Sequence, residues 1–125
     1  MEKLKMKYDL EERTAKFGEQ IIEFCRIAKR DPIVLPILTQ LVRSATSVGA
    51  NYMEANGSSS RKDFASKIYI CKKESQETKY WLRMLAGYYP DKLDELKRYW
   101  QEAQELTMIF HKIVTTIKTK NLLKI

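Results

Sequence analysis

The chain has 125 residues, with 23 lysines and arginines against 16 aspartates and glutamates, which gives a net charge of +7. This length suits one domain with a buried core, and four glycines and three prolines provide too few turns for an all-β fold. No apolar run approaches the ~18 residues of a membrane span, and residues 1–7 alternate in charge, unlike a signal peptide. We therefore expect a cytoplasmic protein without membrane contact, whose positive charge favours an anionic partner.

Two amphipathic helices are predicted in the first half of the chain. The first covers residues 9–30, where apolar residues recur at heptad spacing, and Asp31-Pro32 ends it. The second covers residues 36–56, with Pro36 in its first turn and Gly57 as a left-handed residue after its end. The inward positions predicted for this second helix are Leu38, Leu41, Val42, Ala45, Val48, Gly49, Tyr52 and Met53.

The opposite face of the second helix carries unusually little charge. Its only charged residues are Arg43 and Glu54, where a solvated helix face is usually rich in lysine and glutamate. The other positions on this face are Ser44, Ser47, Ala50, Asn51 and Ala55. Small, neutral residues favour close contact with another helix from a second subunit. The alternative is a small-residue surface that has no partner.

A third helix is predicted over residues 61–86, with Ser60 as its N-cap and a seam at alternating steps of four and three. The seam consists of Phe64, Ile68, Cys71, Ser75, Thr78, Leu82 and Leu85. A fourth helix is predicted over residues 91–119, with an inward stripe formed by Leu93, Leu96, Trp100, Ala103, Leu106, Phe110, Ile113, Val114 and Ile117. The short connections predict a single domain, 1–125, that is an all-α, up-down-up-down antiparallel four-helix bundle.

The residues needed for catalysis or metal binding are scarce. His111 is the single histidine and has no glutamate three positions before it, so the sequence lacks the Glu-x-x-His motif of di-metal bundles. Cys25 and Cys71 lack metal-ligand spacing and are predicted to be reduced thiols in the core. There is no glycine-rich phosphate loop. We expect a protein that is not an enzyme and needs no metal or cofactor.

One flank of the third helix is predicted to be basic. The cations at these helical positions are Arg61, Lys72, Lys79 and Arg83, and the back of the helix adds Tyr69, Lys73 and Tyr80. Cations suit phosphates and tyrosine rings suit unpaired bases, so this surface favours nucleic-acid binding, helped by Lys118 and Lys120 near the C-terminus. An ordinary solvated helix face is the alternative.

The other flank of the third helix predicts a contact between subunits. Ile70 and Trp81 lie away from the seam, where large apolar side chains would otherwise face water. Glu74 and Glu77 lie beside the seam and need a partner, for which Arg43 is the candidate. Such an ion pair would fix the register of two helices or link two subunits.

The densest pattern in the chain resembles a known family. Residues 40–51, QLVRSATSVGAN, and then Glu54-Ala55 resemble the signature of a bacterial four-helix-bundle family. The match continues at Asp63-Phe64, Lys73-Glu74, Glu77-Thr78 and Tyr80-Trp81-Leu82 and covers about residues 10–118. This family comprises proteins encoded in intervening sequences of large-subunit ribosomal RNA genes, and it is similar to the accessory variability determinant of diversity-generating retroelements.

The resemblance implies a ring-like homopentamer and, for the retroelement relatives, binding to RNA or DNA and to a reverse transcriptase. No enzymatic activity transfers from it. Two functions follow as hypotheses: an oligomeric nucleic-acid-binding accessory protein, or a protein-protein scaffold for an acidic protein partner. A neighbouring reverse-transcriptase gene or ribosomal RNA intervening sequence would favour the first.

Overall fold

Four helices form the protein in a computed structural model that describes the backbone of residues 2–124 and the side chains of residues 10–119. They are α1 (Glu2–Ile27), α2 (Leu35–Asn56), α3 (Arg61–Tyr88) and α4 (Leu93–Lys124), with a short 3-10 turn at Pro90–Lys92. Consecutive helices pack against each other, and strands are absent from the described backbone. The predicted all-α four-helix bundle is confirmed. None of the described helices is long and apolar enough to cross a membrane.

The helix boundaries differ from the predicted ones mainly at the ends. α1 begins at Glu2 and stops at Ile27, because Asp31 folds the next loop by accepting hydrogen bonds from the backbone N–H groups of Ile33 and Val34 at 2.8 and 2.9 Å. α3 continues to Tyr88, so Gly87 lies inside the helix and not in the turn. Ser60 caps α3 as predicted, since its Oγ accepts the N–H of Asp63 at 3.0 Å.

The end of α2 shows that one turn prediction was wrong. Gly57 has a φ of −92° and is not left-handed. Its N–H donates to the carbonyl of Glu54 at 3.1 Å, and the N–H of Ser58 donates to Ala55 at 3.0 Å. These bonds span three residues, so the last turn tightens in the right-handed sense and leaves no need for a left-handed cap.

The antiparallel register of α2 and α3 follows from their contacts. Moving forward along α2 from Ser44 to Val48, the partner on α3 moves back from Thr78 to Cys71. Near the end of α2, Glu54 meets Lys67. The seam prediction for α3 is confirmed, because the residues Ile68, Cys71, Ser75, Thr78, Leu82 and Leu85 are buried.

Small hydroxyl side chains let α2 and α3 pack without orphaned polar groups. The Oγ atoms of Ser44 and Thr78 lie 2.9 Å apart in the buried interface. Thr78 also donates to the carbonyl of Glu74 at 2.8 Å, and Ser75 donates to the carbonyl of Cys71 at 2.8 Å. Each hydroxyl therefore finds an acceptor on its own helix, and its burial costs little.

Five positions lie on the opposite side from the predicted one. Ser44 and Ala55 were assigned to the outer face of α2, but both are fully buried because α3 packs over that flank. Met53, Leu93 and Trp100 were assigned to inward stripes, but they are 71%, 37% and 38% exposed. The spacing of apolar residues correctly predicted the middle of the buried surface of each helix. How far that buried surface extends to either side depends on how the neighbouring helices pack.

Both thiols lie in the core, as predicted. Burial raises the pKa of Cys25 to about 11 and that of Cys71 to about 12, so each stays protonated at neutral pH. Cys25 lies 3.9 Å from the carbonyl of Leu38, and Cys71 lies 3.5 Å from that of Val48. Both act as small apolar side chains that tie α2 to its two neighbours.

Candidate nucleic-acid interface

The two central glutamates of α3 turn toward α2. Arg43 places Nη1 3.1 Å from the Oε2 of Glu74, and its Nη2 contacts Glu77. The indole N–H of Trp81 also donates to Glu77 Oε2, at 2.9 Å. The ion pair predicted from the sequence is present, and it links two helices of one chain. Its role between subunits stays a prediction.

Glu77 shows how this cluster holds its charge. Partial burial favours the protonated acid, but the hydrogen bonds from Trp81 and Arg43 outweigh it and lower the pKa of Glu77 below its ordinary value. The same contacts raise the pKa of Arg43 against the effect of its own burial. The Glu77 carboxylate is therefore ionised at neutral pH, with its charge balanced locally by Arg43.

The two central glutamates of α4 turn the other way, toward α1. Arg13 holds Glu102 through two hydrogen bonds of 2.7 Å and reaches Glu105 at 2.9 Å. The bonds to Glu102 are the main reason that the pKa of Arg13 rises above its ordinary value. This paired geometry is the strong form of an arginine–carboxylate contact. It removes the negative charge of α4 from the side that faces α3.

The face between α3 and α4 is consequently basic. The remaining acidic residues of these two helices, Asp63, Asp94 and Glu95, all lie in first turns. On α3, Arg61 and Arg83 are exposed and Lys72 and Lys79 are half-buried, and Lys79 contacts Gln104 of α4. On α4, the spacing of Gln104, His111 and Lys118 places them along the same side, and Lys118 is exposed. We call this surface, formed by Arg61, Lys72, Lys79, Arg83 and Lys118, the basic face.

Lys79 is less free than its place in the predicted stripe suggests. Its ammonium group donates to Gln104 Oε1 and lies 5.3 Å from the ring centroid of Trp100. It therefore packs across to α4, with its charge still at the surface. Sequence reasoning missed Trp100 and Gln104 as members of this surface. Their separation of four residues, which puts both on one flank of α4, is the signal that could have found them.

The two predicted tyrosines occupy different surroundings. Tyr69 is half-exposed with the ammonium groups of Lys72 and Lys73 each 5.9 Å from its ring centroid, so it belongs to the edge of the basic face. Tyr80 is also half-exposed, but its ring contacts Trp81 edge-on at 4.9 Å, on the side toward α2. Lys120 lies outside the residues whose side chains the structure describes.

Several of the residues predicted at a subunit interface form hydrogen bonds or ion pairs within their own chain. Ser47 donates to the carbonyl of Arg43 at 2.6 Å, Asn51 donates to that of Ser47 at 2.8 Å, and Glu54 pairs with Lys67 at 3.0 Å. Ala50 is exposed, and Ile70 and Trp81 are half-buried. Outside these contacts, Ala50 borders an open groove of about 270 Å³ between α1 and α2. Its apolar rim includes Ile22, Met53, Ala15, Gly18 and Gly49.

The described side chains provide no cluster for a metal ion. Within residues 10–119, no three histidine, cysteine or acidic side chains come close enough to share one. His111 is exposed at the basic face. The arrangement as a whole is a charged and aromatic surface, whose groups are chemically suited to contacts with anions and flat rings.

The comparisons with known proteins agree with this fold. Residues 6–112 match the family model described as 23S rRNA-intervening sequence protein. The chain is also similar to the crystal structure of a protein with unknown function from the S23 ribosomal protein family of Bacteroides thetaiotaomicron. That match has 27% sequence identity, covers 84% of this chain and 97% of the other, and has a TM-score of 0.77. No curated protein matches the chain.

Proposed function

The chain belongs to the 23S rRNA-intervening sequence protein family, and we propose that it is a non-enzymatic, homo-oligomeric accessory protein that binds nucleic acid through the basic face. RNA is the preferred ligand over duplex DNA. The family name links its members to ribosomal RNA, and the predicted cytoplasmic location would give access to that RNA.

The observation that carries the proposal is the segregation of charge. Arg43 draws Glu74 and Glu77 to one side of α3, and Arg13 draws Glu102 and Glu105 to the far side of α4. The cations between these two clusters are therefore not neutralised by the central carboxylates of their own helices. A surface of one sign attracts a polyanion and gains affinity by releasing its counterions.

Assembly would multiply this weak surface. A homopentamer, which the family resemblance favours, would repeat the basic face five times, and a long RNA could then engage several copies with avidity. The exposed apolar residues Met53 and Ile22 beside Ala50 support contact between subunits at the α1–α2 groove, while Ile70 and Trp81 support the predicted contact at α3. The full predicted interface comprises Arg43, Ser47, Ala50, Asn51, Glu54, Ile70, Glu74, Glu77 and Trp81.

Two further partners remain predictions. The retroelement side of the resemblance suggests a reverse transcriptase, whereas the matched family supports the ribosomal RNA side. An acidic protein is the alternative ligand for the basic face, in which case the protein is a scaffold. The same binding experiment separates RNA from an acidic protein.

The test uses fluorescence anisotropy with a labelled single-stranded RNA and a labelled duplex DNA at low salt. The variant is Lys72→Glu with Arg83→Glu, which leaves the Lys79–Trp100 contact intact. The matched control, Lys16→Glu with Lys29→Glu, makes the same charge change at exposed positions in α1 and just after its end. We expect the first pair to abolish RNA binding and the control to retain most of it. Failure of the wild-type protein to bind either nucleic acid would reject the proposal in favour of the scaffold.

A further inference from the structure

Trp100 is the least expected residue on the basic face. It lies on α4, one helical turn before Gln104, and the residue is 38% exposed. In the described part of the chain its indole N–H makes no hydrogen bond, whereas the N–H of Trp81 donates to Glu77 at 2.9 Å. Trp81 therefore has a structural anchor, and Trp100 presents both a ring surface and a donor to the outside.

Lys79 and Gln104 surround this ring with polar groups. The ammonium of Lys79 lies 5.3 Å from the ring centroid and donates to Gln104 Oε1. Because that oxygen faces Lys79, the Nε2 amino group of Gln104 points away from it and is positioned to donate to another acceptor. An ammonium group, a flat ring and an amide donor thus lie within one turn of α4 and the adjacent turn of α3.

A single nucleotide offers the complementary groups. Its phosphate suits an ammonium, its base has a flat face that stacks on an indole, and the edge of the base carries acceptors for an amide. In a duplex the bases are stacked on each other and paired, so their flat faces are not available to stack on a side chain. The chemistry of the cluster therefore favours an unpaired nucleotide.

We propose that Trp100 is a stacking platform for an unpaired base, with Lys79 on the adjacent phosphate and Gln104 on the base edge, so that the basic face prefers single-stranded RNA to duplex RNA. This rests on the proposed function, since it assigns a site within the same surface. Tyr69 lies at the edge of that surface between two lysines, and Tyr80 is turned toward Trp81. Trp100 is thus the aromatic residue best placed to confer the preference.

The experiment compares Trp100→Ala and Trp100→Phe with the wild-type protein, using a labelled single-stranded RNA and the duplex of the same sequence at one salt concentration. Stacking on an aromatic side chain is worth enough that its loss weakens binding about fivefold or more. We expect that loss for Trp100→Ala with the single strand only, and Trp100→Phe restores most of it because phenylalanine keeps a ring. Ile27→Ala, an exposed apolar truncation at the end of α1 and outside both the basic face and the α1–α2 groove, is the matched control and should bind as the wild type does.

A second measurement does not depend on the alanine variant. Single-stranded RNA should quench the tryptophan fluorescence of the wild-type protein, and the quenching should vanish in Trp100→Phe, which retains Trp81. Equal weakening of single-strand and duplex binding by Trp100→Ala, or unchanged quenching in Trp100→Phe, would overturn the inference. The proposed function would survive that result if Lys72→Glu with Arg83→Glu still abolished binding. No binding of either RNA by the wild-type protein would overturn both.

Discussion

Arg43 of α2 and Glu74 of α3 meet across the bundle at 3.1 Å although 31 residues separate them in the sequence. Arg13 and Glu102 form the equivalent contact between α1 and α4 at 2.7 Å. Both pairs do more than join helices, because they gather the central acidic residues of α3 and α4 on the two flanks away from the basic face. The fold and the candidate site are thus linked through the same ion pairs.

The coupling between Arg43 and Glu77 should be modest. Their side chains are 42% and 38% exposed, and an ion pair this accessible contributes about 0.5–1 kcal/mol, against ~3–5 kcal/mol lost when a buried pair is broken. A double-mutant cycle with Arg43→Ala and Glu77→Gln, followed by urea denaturation, measures this free energy of coupling. Arg26 and Glu23, an exposed pair within α1, provide the reference cycle and should couple less. Strict additivity for Arg43 and Glu77 would contradict the expected coupling and show that the contact adds nothing to stability.

Acid should remove the contribution of Glu77 to stability. Its folded-state pKa is lowered from the ordinary 4.5, so the carboxylate stabilises the protein above that pH and loses its effect as pH falls below it. The melting temperatures of wild type and Glu77→Gln should differ at pH 7 and converge as the pH drops below 4.5. A difference that grew on acidification would contradict the assigned sign.

The helical glycines should respond differently to alanine. Alanine favours a helix by about 0.5–1 kcal/mol over glycine. A Cβ at Gly18 would meet Thr46 at an ordinary 3.6 Å, so Gly18→Ala should stabilise the protein, as should Gly87→Ala, where the space is open. At Gly49 the new Cβ would lie 3.3 Å from Thr14 Oγ1, so Gly49→Ala should gain less or lose stability. The midpoints of urea denaturation measure the change in stability for the three variants. An equal stabilisation by Gly49→Ala would contradict this expectation and show that α1 shifts at Thr14 at little cost.

The sequence predicted the helices well, but it did not predict how much of each helix surface is buried. The spacing of apolar residues predicted all four helices and the seam of α3. Every residue predicted in that seam is buried except Phe64, which is half-buried. It failed at Ser44 and Ala55 because a helix between two neighbours buries a wider arc than its apolar stripe. For the candidate site, the cations of α3 were predicted, but Trp100 was assigned to the inward stripe of α4. Its spacing from Gln104 places both on one flank of α4, and only the packing of α3 against α4 shows that this flank meets Lys79.

Assembly should depend on Ala50. This residue is exposed and borders the α1–α2 groove, so arginine there would extend into solvent in a monomer but clash in a packed interface. Light scattering coupled to gel filtration should show an oligomer for the wild type, most consistent with five chains, and a smaller species for Ala50→Arg with unchanged helicity. Thr116→Arg, at an exposed position of α4, is the control and should keep the wild-type mass. A wild-type monomer at micromolar concentration would contradict the interface.

The salt dependence of single-stranded RNA affinity tests the central claim most directly. If one subunit engages Arg61, Lys72, Lys79 and Arg83, four phosphate contacts predict that the logarithm of affinity falls with the logarithm of salt with a slope of about 2.8. Lys72→Ala with Arg83→Ala, which removes two of these contacts without adding negative charge, should cut this slope by about 1.4, while Lys16→Ala with Lys29→Ala should leave it unchanged. A slope near zero, or one that both pairs of substitutions lower equally, would show that the basic face does not hold the RNA.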